Sequence, residues 1–400
     1  MKLTSKQVYL KSPGIGTLVY GNSFYVRAAG HEKMRTRMLE TRSDLFDNNE
    51  VAWSSDNGKY WTDWKDIPCN FKEPQGMRRL WTTPGFVDPE RDRLLSIVLE
   101  GLLPNDNPDD GMKNYFLRYR ISEDGGRTSV TDQMIVQPGY TPDHPFECIW
   151  VGKNSIMIGD MGSRPIRTRQ GEILVPVQTS PIGPDGEYYN PGGGLSFHES
   201  AVLIGRWKDN QHIDWSLSDR ISIDPGRSTR GAVEPTIAQL PDGRILMVIR
   251  GSNGGSKDPN HQIPSYRWVC VSEDGGRTWG IPKPWTDTDG NAFFSPSSCS
   301  QLLNHSNGKF YWLGNISPNN CQNNSPRYPF IIAEVDPDSL QLKKETIWVV
   351  DDRTSDEDPS LTLSNFMAHE DRQTGEIILH MSRFFPNQWF GDAFEYRIRV

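Results

Sequence analysis

A short turn followed by an apolar, β-type run returns six times along the 400 residues of this chain. The runs are GNSFYVRAAG from Gly21, DRLLSIVLEG from Asp92, GEILVPVQTS from Gly171, GRILMVIRGS from Gly243, GKFYWLGNIS from Gly308 and GEIILHMSRF from Gly375, spaced by 71, 79, 72, 65 and 67 residues. A unit that recurs in this way is built to stack on copies of itself, because one copy alone cannot bury its apolar face. Each copy is followed after a polar loop by a second β-type run such as NYFLRYRIS, YRWVCVS, YPFIIAEV or FEYRIRV. Each period therefore has room for about four strands.

Helical periodicity at i, i+3, i+4, i+7 is essentially absent, and Gly, Pro, Asn and Asp punctuate nearly every ten residues. Six four-stranded sheets arranged radially fit this pattern better than a sandwich, so the expected fold is an all-β, six-bladed β-propeller with residues 1–400 forming one domain. The terminal FEYRIRV reads as the third strand of the last blade, and KQVYLKS near the start can add the missing outer strand. Such a join closes the ring and removes an exposed edge.

Composition narrows the partners. A net charge of −8 argues against binding a phosphate backbone, which needs a basic face, so no nucleic-acid partner is expected. No apolar run approaches the ~18 residues of a membrane span, and MKLTSKQVYL lacks the apolar centre of a signal peptide. No membrane partner is expected, and the protein reads as soluble, either cytoplasmic or secreted or periplasmic with its leader removed. The five cysteines, Cys69, Cys148, Cys270, Cys299 and Cys321, have no CxxC spacing and read mostly as buried thiols. The oxygen-rich Asn105-Asp-Asn-Pro-Asp-Asp-Gly111 lacks the distal Glu of a calcium loop and reads as a turn, so neither metal nor other cofactor is expected.

A second repeat overlies the first: Ser54-Ser-Asp56-Asn-Gly58-Lys-Tyr-Trp61, Ser122-Glu-Asp124-Gly-Gly126-Arg-Thr128-Ser129 and Ser272-Glu-Asp274-Gly-Gly276-Arg-Thr278-Trp279. The Asp side chain can accept backbone N–H bonds, Gly supplies a φ > 0 position, and Trp can pack between neighbouring sheets. These turns resemble the Asp boxes of the sialidase (neuraminidase) superfamily, whose fold is a six-bladed β-propeller, and the resemblance spans nearly the whole chain. Glu234-Pro-Thr-Ile-Ala-Gln-Leu-Pro-Asp-Gly-Arg-Ile-Leu-Met-Val-Ile-Arg250 is similar to the sialidase stretch that starts one inner strand with Glu and ends the next with Arg.

The resemblance implies an exo-acting glycoside hydrolase that removes a terminal acidic sugar from a glycan. Glu234 would act as base or activator, and Arg250 would clamp a substrate carboxylate with Arg327, which opens the third strand of the fifth blade. The family's first-blade arginine is missing, since Ser12-Pro-Gly-Ile-Gly-Thr-Leu stands in its place. Arg35, Arg37 and Arg164 are candidate substitutes, as are Arg42, Arg78 and Arg79. Asp44 and Asp47, shortly before the first Asp box, are candidates for the general acid. The family's nucleophilic tyrosine is also missing, as Leu363-Ser-Asn365-Phe-Met-Ala-His369 contains none. His144 and His198, each beside a carboxylate, are candidate catalytic bases, and Tyr188 and Trp389 are candidate sugar platforms. Two alternatives stand beside the hydrolase. One is a polysaccharide lyase that removes the C5 proton of a uronate, and the other is a carbohydrate-binding propeller without chemistry.

Overall fold

The computed structural model describes residues 1–400, whose strands form six successive blades in five hydrogen-bonded sheets, the last blade and the first sharing one sheet. Their inner strands are Leu18–Tyr25 in blade 1, Gly76–Thr82 with Phe86–Asp88 in blade 2, where Asn70–Glu73 pairs along the free edge of Gly76–Thr82, Ile156–Met157 with Ile166–Arg167 in blade 3, Val233–Gln239 in blade 4, Gln301–Asn304 in blade 5 and Thr362–Glu370 in blade 6. Within each blade the following strands add outward in chain order and antiparallel, as in Val233–Gln239, Ile245–Arg250, Arg267–Ser272 and Lys283–Pro284. The fold is the expected all-β propeller.

The second strands explain the repeat. Ile245–Arg250 is buried along its whole length because both faces of its sheet are covered by neighbouring blades. A strand buried on both faces reads as a continuous apolar run rather than an alternation. Five of the six runs are second strands of this kind, but the first is not. GNSFYV belongs to the innermost strand of blade 1, whereas the second strand there is Lys33–Arg42, whose KMRTRMLETR alternates charged and apolar residues. That polar alternation hid it.

Successive blades meet through apolar clusters. Ile97, Leu117 and Ile121 of blade 2 pack with Ile173, Val175 and Leu203 of blade 3, and equivalent clusters join blades 3 to 4, 4 to 5 and 5 to 6. Blades 6 and 1 join differently. Lys2–Leu10 pairs antiparallel with Phe390–Arg399 as the outer strand of blade 6, and Leu18 pairs in parallel with Gly391.

The three Asp boxes follow the third strands of blades 1, 2 and 4 and share one geometry. The Ser hydroxyl donates to the Asp at 2.7 Å, 2.8 Å and 2.7 Å, and accepts from the N–H of Gly58, Gly126 and Gly276 at 2.9 Å, 2.8 Å and 2.8 Å. Those glycines have φ of +87°, +88° and +91°, which a Cβ would strain. All five cysteines are unpaired, and all but Cys148 are buried. In the Asn105–Gly111 turn, Asp110 accepts the Asn105 N–H at 2.8 Å, while Asp106 pairs with Arg42 and Arg79.

Candidate functional site

Two innermost strands bulge where they begin. In blade 4 the pairing jumps from Val233↔Arg250 to Thr236↔Val248, and Glu234 takes φ +43°. In blade 6 it jumps from Ser364↔Ser382 to Phe366↔Met381, and Asn365 takes φ +55°. A bulge re-aims a side chain, and left-handed backbone at a non-glycine residue costs roughly 1–3 kcal/mol, a strain found where the side chain's direction matters. Between them, blade 3 supplies Asp160 from Ile158-Gly159-Asp160-Met161. Gly159 packs so tightly on Glu234 that a Cβ there would lie 2.5 Å from the Glu234 Cγ.

The residues that meet are charged and buried. Arg250 donates to Glu234 Oε1, to Ser297 Oγ at 2.8 Å and to Asn324 Oδ1 at 3.3 Å, and the two charged side chains are only 7% and 12% exposed. Arg327 donates to the Ser297 carbonyl at 2.8 Å. Arg230, in the turn before the blade 4 inner strand, donates to Ser196 Oγ at 2.6 Å. Glu234 Oε2 and the Nε groups of Arg230 and Arg327 are buried with no partner in the protein. Asn365 donates to Asp160 Oδ2 at 2.8 Å, and the Glu234 N–H donates to Gln178 Oε1 at 2.7 Å.

The two carboxyl groups are driven apart. Burial and then the charge of Glu234 push Asp160 up to about 8. Burial also works to raise Glu234, but Arg250, Arg327 and Arg230 outweigh it and hold that group below the usual carboxylate range. At neutral pH the site holds a protonated acid, an ionised carboxylate and three guanidinium groups. Such a set can bind an anion, donate a proton and accept one.

The sequence candidates divide. Glu234, Arg250 and Arg327, which the resemblance groups, lie together: Arg250 pairs with Glu234, and Arg327 is close enough to feel the charge of both. His198 lies beside them, with its Nε2 2.9 Å from Ser196 Oγ. Burial, then Arg230 and Arg250, depress it to about 3, so its ring is neutral. Asp44 is exposed in the turn between the second and third strands of blade 1, near enough for its charge to act on Arg230 and Tyr20. Asp47, also exposed, accepts from the N–H and Oγ1 of Thr41 at 2.8 Å each.

The remaining candidates are engaged elsewhere. Arg35 lies over the rings of Trp61 and Trp64, and Arg37 forms a two-pronged pair with Glu50 at 2.7 and 2.8 Å. Arg164 donates to the carbonyls of Pro84 and Gly85, tying blade 3 to blade 2. Arg78 pairs with Glu73 and Glu100. His144 stacks on Trp150 at 4.4 Å. The Tyr188 hydroxyl accepts the Phe197 N–H at 2.7 Å, and the Trp389 indole donates to the Glu40 carbonyl at 2.9 Å, linking a turn of blade 6 to the strand Lys33–Arg42 of blade 1.

Arg230, Asp160 and Asn365 were not singled out from sequence. Arg230 stands in Ser228-Thr-Arg-Gly231 and Asp160 in Gly159-Asp-Met-Gly162, both of which read as ordinary turns. Only the ring of blades brings them to Glu234. Tyr20 of the blade 1 inner strand also reaches this region, where burial and then Glu40 and Asp160 raise its pKa well above the usual phenol value.

Comparison with known proteins fits this architecture. A crystallised Dyadobacter fermentans protein of unknown function is similar with a TM-score of 0.64 and 12% identity, over 100% of this chain and 99% of that one. The NanB sialidase of Streptococcus pneumoniae is similar with a TM-score of 0.62 and 10% identity, over 100% of this chain and 71% of that one. An α-L-arabinofuranosidase of Fusarium graminearum gives 0.56 and 11%, over 100% and 98%. At these identities the likeness is one of fold. No curated protein matches the chain by sequence. Residues 107–382 match the BNR repeat-like domain, well over half of the chain, and the chain therefore belongs to that family.

Proposed function

We propose that the chain is a glycosidase that releases a terminal acidic sugar from a glycan. The observation that carries this reading is a pair of buried carboxyl groups, Asp160 and Glu234, set beside Arg230, Arg250 and Arg327, with burial raising the first and the arginines lowering the second. Two of those arginines keep a buried Nε–H that the protein leaves unpartnered. Arg230, Arg250 and Arg327 would take the sugar carboxylate, a planar anion suited to forked guanidinium donors.

Asp160 would give its proton to the glycosidic oxygen as the bond to the anomeric carbon breaks. Glu234 would take a proton from the water that adds to that carbon, leaving free sugar and a shortened glycan. Asn365 would hold the Asp160 carboxyl at the angle this transfer needs. The neighbouring folds support this reading, since a sialidase and an arabinofuranosidase share the scaffold.

The test is mass spectrometry of products after incubation with a pool of sialylated and uronate-bearing glycans, with Glu234→Gln as the control. Free acidic sugar carrying one added water, lost in the variant, is expected. An unsaturated uronate product would replace hydrolysis with elimination. Retention by Glu234→Gln of full hydrolytic activity would overturn the assignment of Glu234.

A further inference from the structure

The seam between blades 1 and 2 differs from the others. Between blades 2 and 3 the apolar cluster holds 19 buried residues, and between blades 5 and 6 it holds 16. At the first seam Leu94 is the one buried residue that blade 2 adds to the cluster containing Phe24, Met34 and Val51. Facing that apolar floor are Thr82, Ser96 and Arg120 of blade 2, and the two sheets leave a cavity of about 240 Å³ between them.

We propose that this cavity is a binding site for a neutral, polyhydroxylated ligand of monosaccharide size, distinct from the Glu234 site. Its walls combine an aromatic ring and aliphatic side chains with hydroxyl and amide groups, the pairing that the C–H face and the rim of a sugar ring require. Thr36 and Asn49 in the wall are 7% and 6% exposed, and Thr36 Oγ1 and Asn49 Oδ1 have no partner in the protein. Buried polar atoms are rarely left unmatched, so these two mark unspent hydrogen-bonding capacity.

Charge and size narrow the ligand. Arg120 pairs with Asp132 at 2.9 Å, which also holds Arg118, and Arg127 pairs with Glu32 at 2.7 Å, which also holds Arg27, so each guanidinium at the rim already has a carboxylate partner. The volume far exceeds the ~10–15 Å³ that one water needs and falls below the ~300 Å³ at which drug-sized pockets begin.

The test is titration of the full chain with glucose, galactose, mannose, xylose and glycerol by ligand-observed NMR, with crystals soaked in the same compounds. The variants are Ser96→Leu and Thr82→Leu, which fill the cavity from two positions, and Glu234→Gln, which alters the other site. Saturable binding of at least one compound is expected, with affinity reduced tenfold or more in whichever filled variant remains folded by circular dichroism. It should be unchanged in Glu234→Gln, with density for the compound against Phe24. Ordered water alone in the soaked crystals with no saturable binding would overturn the proposal. So would binding that survives both filled variants and is lost in Glu234→Gln.

Discussion

Replacing Gly159 by Ala tests whether the placement of Glu234 governs turnover. A Cβ at residue 159 would lie 2.5 Å from Cγ, 2.7 Å from Cα and 2.9 Å from Cβ of Glu234. Carbon atoms settle at ~3.5–4.0 Å, so the inner segments of blades 3 and 4 have to part by about 1 Å. Because one of the atoms struck is backbone, a change of Glu234 rotamer cannot relieve the overlap. Overpacking of this kind costs ~1–3 kcal/mol, and a displacement of about 1 Å at a reacting group costs on the order of 100-fold in rate. The assay pairs denaturant titration with kcat/KM on the glycan identified by product analysis. Gly280→Ala is the control, since its nearest neighbour is the Val271 carbonyl at 3.5 Å and its backbone is not left-handed. Wild-type stability and turnover in Gly159→Ala would refute the reasoning.

Three further outcomes follow from the same geometry. Turnover should fall as pH rises through the raised pKa of Asp160, about 8, and a kcat/KM profile flat from pH 6 to 9 would count against it as the acid. Folded Asp160 holds its proton more tightly than the unfolded chain, so its contribution to stability is complete at acid pH and is lost as pH rises through the folded pKa. Asp160→Asn should therefore flatten the fall in unfolding free energy between about pH 4 and pH 8. Arg327→Ala should weaken binding of acidic substrates roughly 10- to 100-fold, the worth of one charge-assisted hydrogen bond, and leave their methyl esters unaffected, as read from KM on matched pairs. Lys33→Met strands Asp371, which is fully buried and lies 3.3 Å from the ammonium, and should cost about 3–5 kcal/mol by urea titration while turnover below the transition is kept.

Most of the fold was legible because strands buried on both faces leave uninterrupted apolar runs and the Asp boxes punctuate them. Lys33–Arg42 escaped because charged residues interrupt its apolar run, each matched by a partner elsewhere: Arg37 faces Glu50, and Arg35 lies against two tryptophans. Within the site, Glu234 and Arg250 were legible because one hairpin carries both. Asp160, Arg230 and Asn365 were not, because each belongs to a separate excursion of the chain and no local period records which excursions converge. The candidates for the missing first-blade arginine run from Arg35 to Arg164, yet the third guanidinium at Glu234 comes from Arg230, in the turn just before that residue. Spacing fixes neighbours along a strand, whereas the axis is assembled from inner strands that start 58 to 80 residues apart, at Leu18, Gly76, Ile156, Val233, Gln301 and Thr362.

The strand Lys2–Leu10 completes a sheet whose other members lie at the far end of the chain. The Thr4 hydroxyl donates to the Arg397 carbonyl, a partner 393 residues away. At a synthesis rate of ~5–20 residues per second, the first strand emerges roughly 20–80 s before the strand it must pair with exists. During that interval its edge is open to any other strand, including those of neighbouring nascent chains. Four charged or hydroxyl side chains among its first five residues, Lys2, Thr4, Ser5 and Lys6, alternate with few apolar ones and make it a poor template for such strays. The segment that completes blade 6 is thus also one that can wait in water.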